Sequence, residues 1–413
     1  MFHQRRESPS ILILICLMGF PQITQSIYTP SLPAVAETFL CSESLVELTL
    51  SIYFIGFSLG ILFWGTLGDY IGRRRSMLYG LLFFLLASMI CTQVKSIESL
   101  LLMRMAQAFF ASSGSVLSQT MMRDLFSGKY LSQVFSICSG CLALSPAIGP
   151  VIGGHVSEHF GWQFNFWVLA AIGFTLLFWA YFFLPETEQK KEESKKEGII
   201  SVSIRMCKDP RVWSYVVLVS GANGILFSYY AEAPFFYVTL LGLSPTQYGW
   251  MGLVIACTGL VAARVSHRLN ETWTNSRLVF LGASLITLGA CELFVAGILD
   301  PYLAWGFPFA WFMVFLPFVT FYFGFAILVP NCLAAALRDY TGTLGFAGSI
   351  FGALYYVFVA ISTGLMSYLH NGSLVPMTKI FLVLAFLILI MTKAFVQGEE
   401  RHLSQNTAKP QIA

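Results

Sequence analysis

Apolar runs of roughly 20 residues, each long enough to cross a bilayer as a helix, recur along the whole chain, and no other feature of the sequence limits its fold so tightly. Backbone polar groups in lipid must be satisfied within the segment, so each run reads as a transmembrane helix. Twelve are expected, over about 11–36, 45–67, 76–95, 99–122, 130–157, 163–183, 212–240, 247–265, 276–299, 303–330, 344–368 and 376–395. Charged side chains make up 11% of the chain, against about 25% in ordinary chains, which excludes a soluble protein. Charge placement tests the count. With the N-terminus in the cytoplasm, every one of the 24 lysines and arginines falls on the cytoplasmic side except Lys95, Lys379 and the intramembrane Arg104. That asymmetry is the positive-inside pattern, and an odd number of helices would spoil it. Both termini are therefore expected in the cytoplasm.

Between the sixth and seventh runs, Pro185–Pro210 holds a mixed-charge stretch with no apolar face. It reads as a linker, 185–211, between two six-helix bundles, 1–184 and 212–413. The halves echo each other: Arg123-Asp124 closes the fourth run and Arg338-Asp339 the tenth, as parallel repeats would place them. The nine cysteines lie mostly in or beside runs without CxxC or Cys/His spacing, so they read as small core residues rather than metal ligands. The basic, then apolar, N-terminus has no A-x-A cleavage site and reads as a retained first span.

One run is unusual. Ser145, Pro146, Gly149, Pro150, Gly153 and Gly154 crowd helix breakers into the fifth span. A membrane tolerates such residues, and the ridge Cys141, Ser145, Gly149, Gly153 and Ser157 is nearly free of side-chain bulk. It is read as a face for close helix approach. Its expected partner is the eighth span, through Gly252, Ala256, Gly259 and Ala263.

The loop Gly65-Thr-Leu-Gly-Asp69-Tyr-Ile-Gly72-Arg73-Arg74-Arg75 resembles the GxxxDRxGRR signature of the major facilitator superfamily, with Tyr70 where a base is usual. The breaker stretch resembles the fifth-span motif of its proton-driven exporters, with Ser145 replacing a glycine. Tyr28-Thr-Pro-Ser-Leu-Pro33, Met122-Arg-Asp-Leu-Phe126, Leu184-Pro-Glu-Thr187 and Leu241-Gly-Leu-Ser-Pro245 resemble the Bcr/CflA and EmrD group of bacterial drug:proton antiporters. The resemblance runs from about residue 10 to 395. It implies an all-α integral membrane protein of a bacterial cytoplasmic membrane, with two pseudo-symmetric six-helix bundles. It also implies proton-coupled efflux by alternating access. The acid that many members carry just before the Tyr-x-Pro is Ser26 here, so a proton carrier is expected elsewhere.

Ionisable groups at membrane depth are costly and are functional candidates. Arg104, Glu232 and Glu292 qualify. The family architecture places spans one, four, seven and ten around the cavity, which selects Arg104 and Glu232. Glu232 is expected to be the exchangeable acid and Arg104 to shape its field or order the cavity. Glu292 is expected at the lipid interface. Gln22, Gln25, Ser26 and Tyr28 give the first span a polar face, and Gln107, Gln119, Asn223, Tyr229 and Tyr230 add hydrogen-bonding groups. Phe315 and Tyr322 belong to a ring-rich tenth span. Such a cavity suits bulky amphipathic or cationic compounds. No nucleotide-binding loop, HExxH or nucleophile elbow is present, so a transporter is expected rather than an enzyme. Its expected partners are a small-molecule substrate, protons and lipid, with no nucleic acid and no cofactor beyond the proton gradient, and its working unit a monomer. The alternatives are a dedicated carrier of one metabolite, such as a siderophore, and a sensor that keeps the fold without transport.

Overall fold

The computed structural model describes residues 10–126, 128–187, 199–299, 307–338, 340 and 344–407. Twelve long helices carry the chain back and forth. They are α1 (Ile11–Phe39), α2 (Glu43–Ile71), α3 (Arg73–Cys91), α4 (Ile97–Leu125), α5 (Gly128–Phe160), α6 (Phe164–Phe183), α7 (Pro210–Leu240), α8 (Pro245–Leu269), α9 (Asn275–Leu299), α10 (Phe307–Ala336), α11 (Leu344–Leu369) and α12 (Val375–Thr407). Eleven are apolar and long enough to cross a membrane among the described residues, and the 33-residue α5 stands in the remaining place. The expected order of twelve spans is the order observed.

Local chemistry sets the ends. Ser42 caps α2 by accepting from the Leu45 amide, and Glu43 places an acid on the positive end of the helix dipole. Ser96–Ser99 and Ser244–Gln247 form capping boxes at α4 and α8. Two spans are interrupted. α1 tightens into a 3-10 turn at Thr29–Ser31, where Pro30 cannot donate a backbone hydrogen bond. α7 widens into a π-turn over Phe235–Leu240, directly after Pro234.

The first six helices pack on one another and so do the last six, giving the two expected bundles. They meet along two main seams. In one, α2 lies against α11 with a seven-residue spacing. The Ser51 and Ser58 hydroxyls donate to the Ala360 and Ala353 carbonyls at 2.7 and 2.9 Å, and Ser367 donates to Ser44. A seven-residue repeat keeps one face toward its partner, as in left-handed supercoils. In the other seam, α5 lies against α8. The eighth span is thus the expected neighbour, met on α5 by the ridge one residue further along. Pro150, Gly154 and Glu158 face Gly249, Pro245 and Thr246, whereas Gly149 and Gly153 face Ser26 and Ile27 of α1. Of the predicted α8 face, Gly259 abuts Tyr322 instead, and Ala263 is exposed. The side chains of Ser145 and Pro146 lie outside the described residues.

The mixed-charge run of the linker also lies outside the described residues. Beyond it, Ile199–Lys208 is helical and buries Val202 and Met206. Tyr340 fastens this segment, donating to Asp209 at 3.0 Å with the Arg205 guanidinium 4.8 Å over its ring. The end of the linker is thus docked under the second bundle.

Candidate functional site

At the end where α1 joins α2, four ionisable groups meet across the two bundles. Glu43 and Glu47 lie one turn apart on α2, so both project from one face. Glu232 comes from α7, just before its π-turn, and His370 follows α11. The imidazole bridges them. Its Nε2 lies 2.8 Å from Glu43 Oε2, and its Nδ1 lies 2.8 Å from Glu232 Oε2. Glu47 Oε1 is 3.1 Å from the same Nδ1, but in a geometry that makes no hydrogen bond; both Glu47 oxygens are buried without a partner. Glu47 is fully buried, the Glu232 side chain is 4% exposed, and Glu43 is 35% exposed. Burial works against a charged His370, yet the carboxylates of Glu232, Glu43 and Glu47 outweigh it and push the imidazole up to about 12. His370 is therefore an imidazolium at neutral pH. The Phe235 ring covers it from 5.9 Å. One carboxylate oxygen each of Glu47 and Glu232 and one ring nitrogen of His370 lie within 4.8 Å of one another.

Glu232 was expected as a buried acid and is one. Its three companions were not expected, because each sits at a helix end, where acids and histidines ordinarily serve as caps or face headgroups. Only the topology brings positions 43, 47, 232 and 370 together.

Arg104 is fully buried inside the first bundle and does not join Glu232. Its guanidinium reaches Gln107 Oε1 and, at 3.4 Å, the Thr24 carbonyl. It lies 4.6 Å from the Tyr53 ring and 5.0 Å from the Tyr28 ring, so cation–π contact replaces a carboxylate partner. Three residues expected to line the cavity therefore belong to this interior. Tyr28 flanks Arg104. Gln107 donates onward to Ser88 of α3 at 2.8 Å. Ser26 donates to Gln22 and faces Gly149.

Of the other cavity candidates, Gln22 reaches across the seam between the bundles: it is half-buried within reach of the Tyr356 hydroxyl on α11. Gln25 is buried, and Gln119 and Asn223 are half-buried, Asn223 donating to Val219 of its own helix. Tyr229 stacks on Phe318, and its hydroxyl is 3.2 Å from that of Tyr237. Phe315 packs on Trp311, and Tyr322 on Phe325. The Tyr230 hydroxyl is buried without a partner. An aromatic plug not foreseen from the sequence joins the bundles: Phe54 of α2 lies 4.6 Å from Phe227 of α7 and 5.9 Å from Tyr356. Glu292 is half-buried on α9.

At the opposite end, the signature loop is a latch within the first bundle. Arg73 pairs with Asp69 at 2.6 Å and Asp124 at 3.2 Å. The Arg73 and Arg74 amides donate to Glu186 beyond α6, and the Arg74 side chain donates to the Tyr181 carbonyl at 2.6 Å. Gly72 has φ +95°, and a Cβ there would press on the Glu186 carboxylate at 2.5 Å, so only glycine fits. Tyr70 takes no part and is 77% exposed. Gly65 leaves room for Ser349 of α11. Arg73→Ala, which removes the cation shared by Asp69 and Asp124, is expected to cost about 1–3 kcal/mol of stability, read as a lower melting temperature in detergent.

Residues 14–363 match the family model described as Major Facilitator Superfamily. A Rickettsia bellii protein named as an uncharacterized transporter is 33% identical over 375 residues, covering 90% of this chain and 93% of that relative. A bicyclomycin resistance protein homolog of Haemophilus influenzae is 27% identical over 373 residues, covering 89% and 91%. In three dimensions the chain is similar to the xylose transporter XylE from E. coli in a partially occluded inward open conformation, with TM-score 0.72 and 13% identity over 94% and 97% of the two chains. At that identity the likeness is one of fold.

Proposed function

The chain belongs to the major facilitator superfamily, and within that fold we propose that it exports small amphipathic or cationic organic compounds in exchange for protons, by alternating access between the two bundles. The observation that carries this reading is the acid–imidazole cluster. A buried carboxyl on α7, Glu232, is hydrogen-bonded at 2.8 Å to a hub that also holds the other bundle, so its protonation is tied to whether the bundles are apart or together. Similarity to a bicyclomycin resistance homolog supports a drug-like cargo. The aromatic plug and the unpartnered Tyr230 hydroxyl offer apolar burial with few polar contacts.

The positive-inside pattern orients the molecule in a bacterial cytoplasmic membrane, with the Arg73 latch and both termini inside and His370 facing outward. Glu232 exchanges the proton. Arg104 orders the first bundle rather than acting on Glu232 directly. A monomer suffices, with the proton gradient as the energy source.

Purified protein in proteoliposomes, under an imposed pH gradient and a chemically mixed ligand panel, tests this reading. Uphill movement of cationic amphiphiles against proton entry is expected. Glu232→Gln should lower gradient-driven flux by at least about tenfold while ligand binding persists. Gradient-driven flux that survives the substitution removes Glu232 as carrier.

A further inference from the structure

Three carboxylates against one imidazolium leave the His370 cluster with excess negative charge, which one added proton halves and the 35%-exposed Glu43 shares with solvent. The imidazolium spends Nε2–H on Glu43 and Nδ1–H on Glu232. Glu47 is left fully buried with two oxygens that make no hydrogen bond, and its carboxyl and that of Glu232 lie against one shared ring nitrogen. No other cation pairs with these acids: among the described residues, every ion pair of Glu43, Glu47 and Glu232 is with His370. Arg104 is committed to Gln107, Thr24 and the Tyr28 and Tyr53 rings. Two like charges cannot both stand so close out of water. With these carboxyls within 4.8 Å of one another, a proton on one of them removes that repulsion.

We propose that Glu47 and Glu232 form a divided proton site, one carboxyl on each bundle, which holds a single shared proton only while the His370 end is closed. When that end opens, Glu47 leaves with the first bundle and Glu232 with the second; both carboxyls meet water and the proton departs. Closing therefore takes up a proton, and losing it favours opening. This rests on the proton-exchange reading above and deepens it: a carrier returning without cargo could close its outer end only by taking a proton from outside.

The sign is testable by distance. Spin labels at the exposed Glu37 and Tyr368, with native cysteines replaced, report the gap by pulsed electron resonance without substrate. Between the ordinary glutamate value, about 4.3, and the ordinary histidine value, about 6.5, His370 is charged whether the end is open or closed, so it adds no slope. Above that window its raised value makes closure weaken as pH climbs, and that limb belongs to the imidazole. Within the window the closed-to-open ratio of the wild type should fall by about tenfold per pH unit, the slope of one proton. Glu47→Gln should stay closed and lose that slope. Glu232→Gln should lose it too, which covers the case where the first variant does not fold. A wild-type slope in both variants overturns the proposal, as does a closed state that chelation of divalent cations abolishes. Flux and slope fail separately: a missing proton-driven flux with the slope intact sinks the export reading alone, and a missing slope with flux intact sinks the divided site alone.

Discussion

His370→Ala is expected to swing the resting transporter from closed to open at the outward end by roughly 10²–10³-fold and to abolish gradient-driven flux. The imidazolium holds Glu43 and Glu232 at 2.8 Å and faces Glu47 at 3.1 Å. Removing one partner of a buried ion pair costs about 3–5 kcal/mol, because the charge left behind is uncompensated, and 1.4 kcal/mol is a factor of ten in population. Here the abandoned groups have an escape. The carboxyls sit on different bundles, so parting at this end rehydrates them without unfolding either bundle. The cost should therefore emerge as a conformational shift in the spin-label distances, with only a small fall in melting temperature. A large loss of stability with the end still closed would mean that His370 supports the fold rather than the gate.

The second large effect contrasts two neighbouring glycines. A Cβ on Gly153 would overlap the Ile27 carbonyl oxygen and approach its carbon and Cα at 2.7 and 3.1 Å. These are backbone atoms of α1 that cannot swing aside, and α1 belongs to the same bundle. Gly153→Val should thus reach or exceed the upper part of the 1–3 kcal/mol range, about 3 kcal/mol, typical of overpacking, seen as lost expression and a lower melting temperature. A Cβ on Gly154 would overlap the Pro245 carbonyl oxygen of α8, across the seam, with its carbon at 2.8 Å. Gly154→Val should leave both bundles folded but hold the outward end apart, giving bound ligand without turnover. If the two variants behaved alike, the seam would not be the moving surface.

That contrast also marks what the sequence could convey. The small-residue stretch was legible as a close-contact helix, and the eighth span as a neighbour. The face was not. Stepping by four from Gly149 selects Gly153, on the α1 side, while the α8 side is the ridge Pro150, Gly154 and Glu158 one residue on. One residue turns an α-helix by about 100°, and both ridges are small, so composition alone does not say which meets which partner. The twelve spans were legible because bilayer thickness and charge asymmetry each constrain them independently.

Ionisable groups followed the same division. Glu232 and Arg104 stood out as charges deep within apolar runs. Glu43, Glu47 and His370 did not, since the end of a span is where charge is least costly and caps are common. Their burial depends on the opposite bundle closing over them, which no local pattern encodes. Arg104 and Glu232 both lie on cavity-type helices, but Arg104 turns into its own bundle toward Tyr28, Tyr53 and Gln107. Gln107 and Tyr28 go with it.

The claim at the centre of this account is that cargo leaves only as protons enter through the cluster shared by the two bundles. Simultaneous recording of substrate and proton fluxes in the same proteoliposomes tests it most directly. Opposite, proportional fluxes are expected in the wild type, vanishing together in Glu232→Gln. Substrate movement that continues unchanged when the pH gradient is collapsed, with no accompanying proton flux, would contradict it.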